Sequence, residues 1–243
     1  MPLGFDELNA LVRKDDKRNI DIDRYFDEME LPQSSKEVRK EFAKQFSDEL
    51  FTALALLFLF LQYGTATGIE TVKRTVERSL LNAINTYTHA NSELTEMASQ
   101  YAELFVDTTV ENAEKYGLFD ESKEISDKDL QKVAYFFSEI RAKFNAADTA
   151  NSVFNYEDYR EAVEDGKQYK QWVTMKDERV RRTHSEVDGT ILPIKELFHV
   201  GRATLRYPHD WDMGEGHEKE LVNCRCQIRY LSKEQFNDIA KGL

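Results

Sequence analysis

Cys224 and Cys226 are the only cysteines in the chain and stand two residues apart, and four of the five histidines (His184, His199, His209 and His217) lie in the stretch that ends with them. On an extended strand alternate residues share a face, so both thiolates would meet one ion and a histidine would extend a tetrahedral set. His184, His199, His209 and His217 are all available to complete the set, and His184, Cys224 and Cys226 are carried as the candidate ligands of a structural zinc. The competing reading is two small buried cysteines beside a histidine bonded to a neighbouring carboxylate or carbonyl. A C-x-C spacing is too tight for an easy disulfide, and a reducing compartment disfavours one.

A second group of polar residues lies just upstream. If residues 177–181 are extended, Asp177, Arg179 and Arg181 share one face, where arginine forks suit carboxylates or phosphates. They would contact an anionic partner such as nucleic acid, or form an internal ion-pair network reaching Asp188 or Asp210. Dyads of His184 with Asp188, or of Cys224 with His184, can be drawn on paper. No nucleophile elbow, P-loop, HExxH or GxGxxG motif accompanies them. The expectation is a protein that is not an enzyme; the alternative is a zinc-dependent hydrolase or nuclease domain using His184, Cys224 and Cys226.

These residues need a scaffold, and the texture of the chain changes where one would begin. Tyr169 to Met175 is rich in aromatic and β-branched residues, Asp188-Gly189 is a turn signal, and Gln227 to Leu231 reads as a closing strand. Residues 166–231 are thus expected to form a small α+β domain with few strands, whose modest core calls for a clasp. Upstream, residues 34–165 read as helices. Ser34 and Glu37 have the spacing of a capping box, and Val38, Phe42, Phe46, Leu50, Leu54 and Phe58 follow at intervals of four. The run 53–61 is apolar all round but about half the length of a membrane span, so no span is expected and it reads as a helix end buried on all sides or in an oligomer interface. Leu54, Leu57, Phe58, Phe60 and Leu61 are candidates for a partner-binding or oligomer surface. Gly64 and Gly68 then break the chain. A helix follows to about Ile84, another stops near Gly117, one capped by Ser126 or Asp127 carries Leu130 to Phe144, and a short one covers 156–163. Residues 1–33 are charged and read as an arm ordered only against a partner, and residues 232–243 as a short helical tail. The fold class is α+β: a mostly helical N-terminal region followed by a small α+β C-terminal domain.

Charge separates the two regions. The 243 residues carry a net charge of −12, which argues against a general duplex-DNA binder. Residues 1–167 hold 20 basic and 33 acidic residues, whereas residues 168–231 hold 11 and 10. Seven of the fifteen arginines fall between Arg179 and Arg229, so a local anionic partner stays compatible with an acidic whole. No basic segment followed by an apolar one opens the chain, which points to a cytoplasmic product.

The ordered set Trp172-x-Thr174, Asp177-x-Arg179-Val180-Arg181-x-x-His184, Asp188-Gly189, Phe198, Tyr207-Pro208-x-Asp210 and Asn223-Cys224-Arg225-Cys226 resembles the head-morphogenesis domain of tailed bacteriophages. That family is named after the F protein of phage Mu. The resemblance covers about residues 166–231 and marks Asp177, Arg179, Arg181, His184, Asp188, Asn223 and Arg225 as a family-signature polar clasp. Two departures stand out: His209 replaces a glycine of one branch, and Val222 stands where another branch has a histidine. The second departure counts against a metal site that needs that histidine. Only residues 232–243 follow, too few for the toxin domain that some members carry. The resemblance implies a minor capsid protein, made in the bacterial cytoplasm and built into the head near the portal. It would be oligomeric or bound to an oligomer, have portal, capsid and scaffold proteins as partners, and act in head assembly and in genome packaging or ejection. It leaves contact with packaged DNA open.

Overall fold

A computed structural model describes residues 3–120, 122–211 and 218–242, so His217 lies outside the described residues. The chain divides into two compact units, one made of the residues up to Glu28 with Gln33–Ala147, the other of Met29–Pro32 with the residues from Asp148 onward.

The first unit is helical. Its opening segment is not an unstructured arm: helices α1 (Phe5–Ala10) and α2 (Ile22–Asp27) form, and Asp21 caps α2 by accepting the amide of Arg24. Leu8 and Phe26 are fully buried, Phe5 packs 5.5 Å from both Phe51 and Phe58, and Arg18 lies 3.3 Å over the ring of Tyr135. The charge of this segment hid a sparse set of apolar anchors, while Arg13 and Arg18 pair locally with Asp15 and Asp16.

Helix α3 (Gln33–Gln62) starts one residue before Ser34, so Ser34 does not occupy the capping position expected of it. The interval-of-four stripe is buried, with Phe42, Phe46, Leu50, Leu54 and Phe58 at 1% exposure or less. By length and composition α3 could cross a membrane, a test that the core helix of a helical unit also passes. Its burial also corrects the expected partner surface. Leu54, Leu57 and Phe58 are core residues, and Phe60 and Leu61 are half-buried. The face that α3 leaves open carries Leu56, Leu59 and Tyr63, which follow at helical spacing.

Helix α4 (Ala66–Tyr87) returns along α3. Gly68 is the point of closest approach, where a Cβ would lie 2.2 Å from Cγ of Phe60, so this glycine is set by packing rather than by a break. Helix α5 (Ser92–Tyr116) is capped by Asn91 and ends at Gly117, whose φ of 68° is the left-handed conformation expected at that position. Helix α6 (Asp127–Phe136) is capped by Ser126 and stops earlier than its apolar pattern suggests. The Ser138 hydroxyl accepts the amide of Arg141 and opens helix α7 (Glu139–Glu164), which absorbs the short helix expected at 156–163.

The second unit starts within α7 rather than at Gly166. The reason is local: Asp148 accepts the amide of Asn223, Asn155 donates to the Pro208 carbonyl, and Tyr156 packs 5.4 Å from Trp211. After α7 come strand β1 (Tyr169–Val173), the short helix α8 (Arg182–Ser185), strands β2 (Ile191–Pro193), β3 (Phe198–Val200) and β4 (Ala203–Leu205), the short helix α9 (Glu218–Leu221), strand β5 (Gln227–Leu231) and helix α10 (Lys233–Ala240). β1 is the centre of an antiparallel sheet ordered β2-β1-β5, with Trp172 opposite Ile228, and β3 and β4 form a separate hairpin. One face of β1 points Lys170 and Trp172 inward. Trp172, Phe198, Val200, Ala203, Leu205 and both cysteines make up the core of this unit. The described structure is therefore α+β, a helical region followed by a small unit with few antiparallel strands.

Candidate metal centre and its polar surroundings

Residues 177–181 are not extended. Asp177 opens a turn in which its Oδ1 accepts the Arg179 amide at 3.0 Å, and this turn leads into α8. The turn keeps Arg179 beside Asp177 but carries Arg181 away from both. The Arg225 guanidinium donates through one nitrogen to both oxygens of Asp177, at 2.8 and 2.6 Å. Burial works against the Asp177 charge, but Arg225 outweighs it and holds the carboxyl below its ordinary range. Arg179 lies on the exposed side of the same carboxylate, at 3.4 Å. Arg181 turns away and donates to the Val222 carbonyl.

The acids expected to complete the network do other work. Asp188 accepts the Thr174 amide at 2.8 Å, closing the turn that returns the chain to β1. Asp210 is fully buried and grips Arg206 through the backbone amide at 2.8 Å and the guanidinium at 2.9 and 2.6 Å. The clasp residues thus form several separate ties instead of one network.

Helix α8 carries His184 into the core, at 2% exposure. The cysteines lie in the run-in to β5 and not on the strand itself. Asn223 adopts a φ of 56°, which asparagine tolerates, and starts that run-in. Nδ1 of His184 is 3.3 Å from Sγ of Cys226 and 3.4 Å from Sγ of Cys224. One candidate ligand atom from each of the three residues falls within 4.8 Å of the others. Nε2 of His184 faces Oε2 of Glu220 at 3.1 Å, and the Thr183 hydroxyl donates to the same oxygen at 2.8 Å. The ring edge of His184 also meets Trp172, at 5.8 Å between centroids.

The electrostatics of the three groups are shared. Burial, reinforced by the neighbouring Cys226 sulfur, pushes the Cys224 thiol well up. The contact with Cys224 holds Cys226 below the usual thiol range despite burial. Burial alone would lower the pKa of His184, but its hydrogen bond to Cys224 and the charge there leave it above its ordinary value. The set is a soft, buried sulfur-and-imidazole cluster whose donor types suit zinc.

The structure brings the predicted His184, Cys224 and Cys226 together; sequence reasoning missed Glu220 and Asp148 and offered His209 only as a further candidate ligand. Glu220 had no signal beyond its place in an acidic stretch. His209 did have one, because it stands where one branch of the resembled family has glycine. Its φ is 64°, so the backbone keeps the conformation that glycine favours. Its Nε2 meets the Cys224 carbonyl at 2.5 Å, and Nδ1 lies 3.7 Å from Asp148. Burial pushes the Asp148 carboxyl up, and the charge of His209 opposes that shift. His199 is exposed on β3 and takes no part.

The small α+β unit that follows the helices carries the N-C-R-C segment on which the family resemblance rests. The family model described as Phage Mu protein F like protein matches residues 37–229, more than half of the chain, and the chain belongs to that family. Membership is consistent with a bacteriophage head-morphogenesis role. A search of the curated proteins and a search of the solved structures each found no match.

Proposed function

We propose that the chain is a minor capsid protein of a tailed bacteriophage, incorporated in few copies at or near the portal of the prohead, where it acts in head assembly and in genome packaging or ejection. The observation that supports this reading is the family match over residues 37–229, which takes in most of the helical unit as well as the α+β unit. The helical unit is the docking part. Its acidity keeps it off packaged DNA, and the open face of α3 at Leu56, Leu59 and Tyr63 offers apolar surface to the portal protein. Contact with DNA belongs to residues 168–231, which are nearly neutral and hold seven arginines.

Mass analysis of intact virions and of proheads tests the proposal. Peptides of this chain should be found in both, far below the major capsid protein in abundance, and the chain should co-purify with the portal protein. Leu59→Glu should reduce incorporation while leaving the far-ultraviolet circular dichroism unchanged. Absence of the chain from both particles would overturn the proposal.

A further inference from the structure

The buried cluster of His184, Cys224 and Cys226 has geometry that a hydrophobic core does not require. With zinc–nitrogen bonds of about 2.0 Å and zinc–sulfur bonds of about 2.3 Å, nitrogen and sulfur ligands lie about 3.5 Å apart across a tetrahedral angle. Nδ1 of His184 stands 3.3 and 3.4 Å from the two sulfurs, close to that separation on both sides. One ring nitrogen faces both sulfurs at once, as a single ion held by all three residues would require.

The other ring nitrogen supplies an independent observation. Nε2 is held by Glu220 at 3.1 Å, and Glu220 is itself held by Thr183 at 2.8 Å. A histidine that ligates a metal through one nitrogen characteristically donates the other N–H to a carboxylate, which fixes the ring and raises its basicity. The backbone leaves room for this carboxylate: Gly201, in the β3–β4 turn, has a φ of 62°, and a Cβ there would come within 2.6 Å of Glu220 Oε1. Two thiolates would neutralise a divalent ion, so the ion and its three ligands together would carry no net charge, which is compatible with burial.

We propose that Nδ1 of His184 and the sulfurs of Cys224 and Cys226 bind one zinc ion, oriented by Glu220, that ties α8 to the run-in of β5 across 40 and 42 residues of chain. The three ligand residues line a cavity of about 20 Å³ together with Met175, Arg181 and Asn223 among others, which is the room of one water molecule. The ion acts as a clamp on a unit whose hydrophobic core is small, with its fourth position left open to an exogenous ligand such as water, as in a Cys₂His site of three protein ligands.

Cobalt and zinc loading of the full-length chain tests this. After chelation and reloading, the protein should retain one zinc per chain. Cobalt should produce a sulfur-to-cobalt charge-transfer band together with the intense visible bands of a tetrahedral site. Glu220→Gln should keep those bands but weaken zinc affinity about 10- to 100-fold. Cys226→Ser should diminish the charge-transfer band, and chelator should lower the unfolding temperature of the wild type but not of this variant. If Cys226→Ser does not fold, the wild-type cobalt spectrum and the Glu220→Gln affinity still decide. A wild-type chain that retains no zinc, or that binds cobalt without a charge-transfer band, would overturn the proposal, as would an unaltered affinity in Glu220→Gln.

Discussion

The Asp177–Arg225 pair fixes the turn before α8 to the N-C-R-C segment, and its weight can be worked from its surroundings. The Arg225 side chain is 7% exposed and that of Asp177 is 33% exposed. Removing one partner of a fully buried pair costs about 3–5 kcal/mol, whereas exposed pairs are worth about 0–1 kcal/mol. With one member buried and the other a third exposed, Asp177→Asn should cost about 2 kcal/mol. For a unit of this size that lowers the melting temperature by roughly 8–16 °C. Arg225→Met should cost a similar amount, and the double variant should be less destabilised than the sum, with a coupling of at least about 1 kcal/mol. The chain offers a selective probe, because both of its tryptophans, Trp172 and Trp211, belong to the α+β unit. Urea unfolding followed by tryptophan fluorescence therefore reads that unit, while far-ultraviolet circular dichroism is weighted toward the helices. The pH dependence has a definite sign. Arg225 holds the folded-state pKa of Asp177 below its unfolded value, so the contribution is complete above about pH 4 and is lost as the pH falls through the folded value. A coupling below about 0.3 kcal/mol, within the error of additivity, would refute the assignment of this pair as a structural tie.

Two further outcomes follow from the same unit. Lys170 is fully buried on β1, donates to the Arg206 carbonyl at 2.7 Å, and is pushed down to about 8 by burial. Between about pH 8 and 10.4 the unfolded chain holds a proton that the folded chain has lost, so this group makes stability rise with pH in that window. Lys170→Met should lack that rise when fluorescence-monitored unfolding of the two proteins is compared across the window. Gly201→Ala places a Cβ at a φ of 62° and 2.6 Å from Glu220 Oε1. It should cost about 1–2 kcal/mol in backbone strain alone. A further loss is expected as Glu220 is displaced, read as a lower urea midpoint by fluorescence.

Periodicity and punctuation made much of the helical unit legible. The intervals of four from Phe42 to Phe58 mark a buried face, Gly117 ends α5, and Ser126 caps α6. These are local signals, and a helix needs little else to be placed. The same patterns left matters open where burial depends on neighbours far along the chain. Leu54, Leu57 and Phe58 read either as a helix end buried on all sides or as a surface for partners, and the rest of the unit covers them, with Phe137 packing 5.7 Å from Phe58. The charge of residues 1–33 masked α1 and α2, because only a few anchors such as Leu8 and Phe26 need to be apolar when a core is already waiting for them.

The sequence by itself determined the separation into an acidic helical region and a nearly neutral α+β region, the family, and the pair of cysteines with a short choice of histidines, since residue types and their order carry all three. Only the tertiary structure decided which atoms meet. Spacing along a chain fixes direction only while the backbone is regular, and the segments around the site are turns: the one at Asp177 that sends Arg181 to Val222 instead of to an acid, the left-handed Asn223, and the left-handed His209. Those turns aim one nitrogen of His184 at both sulfurs and leave the other for Glu220, a residue that no motif had singled out.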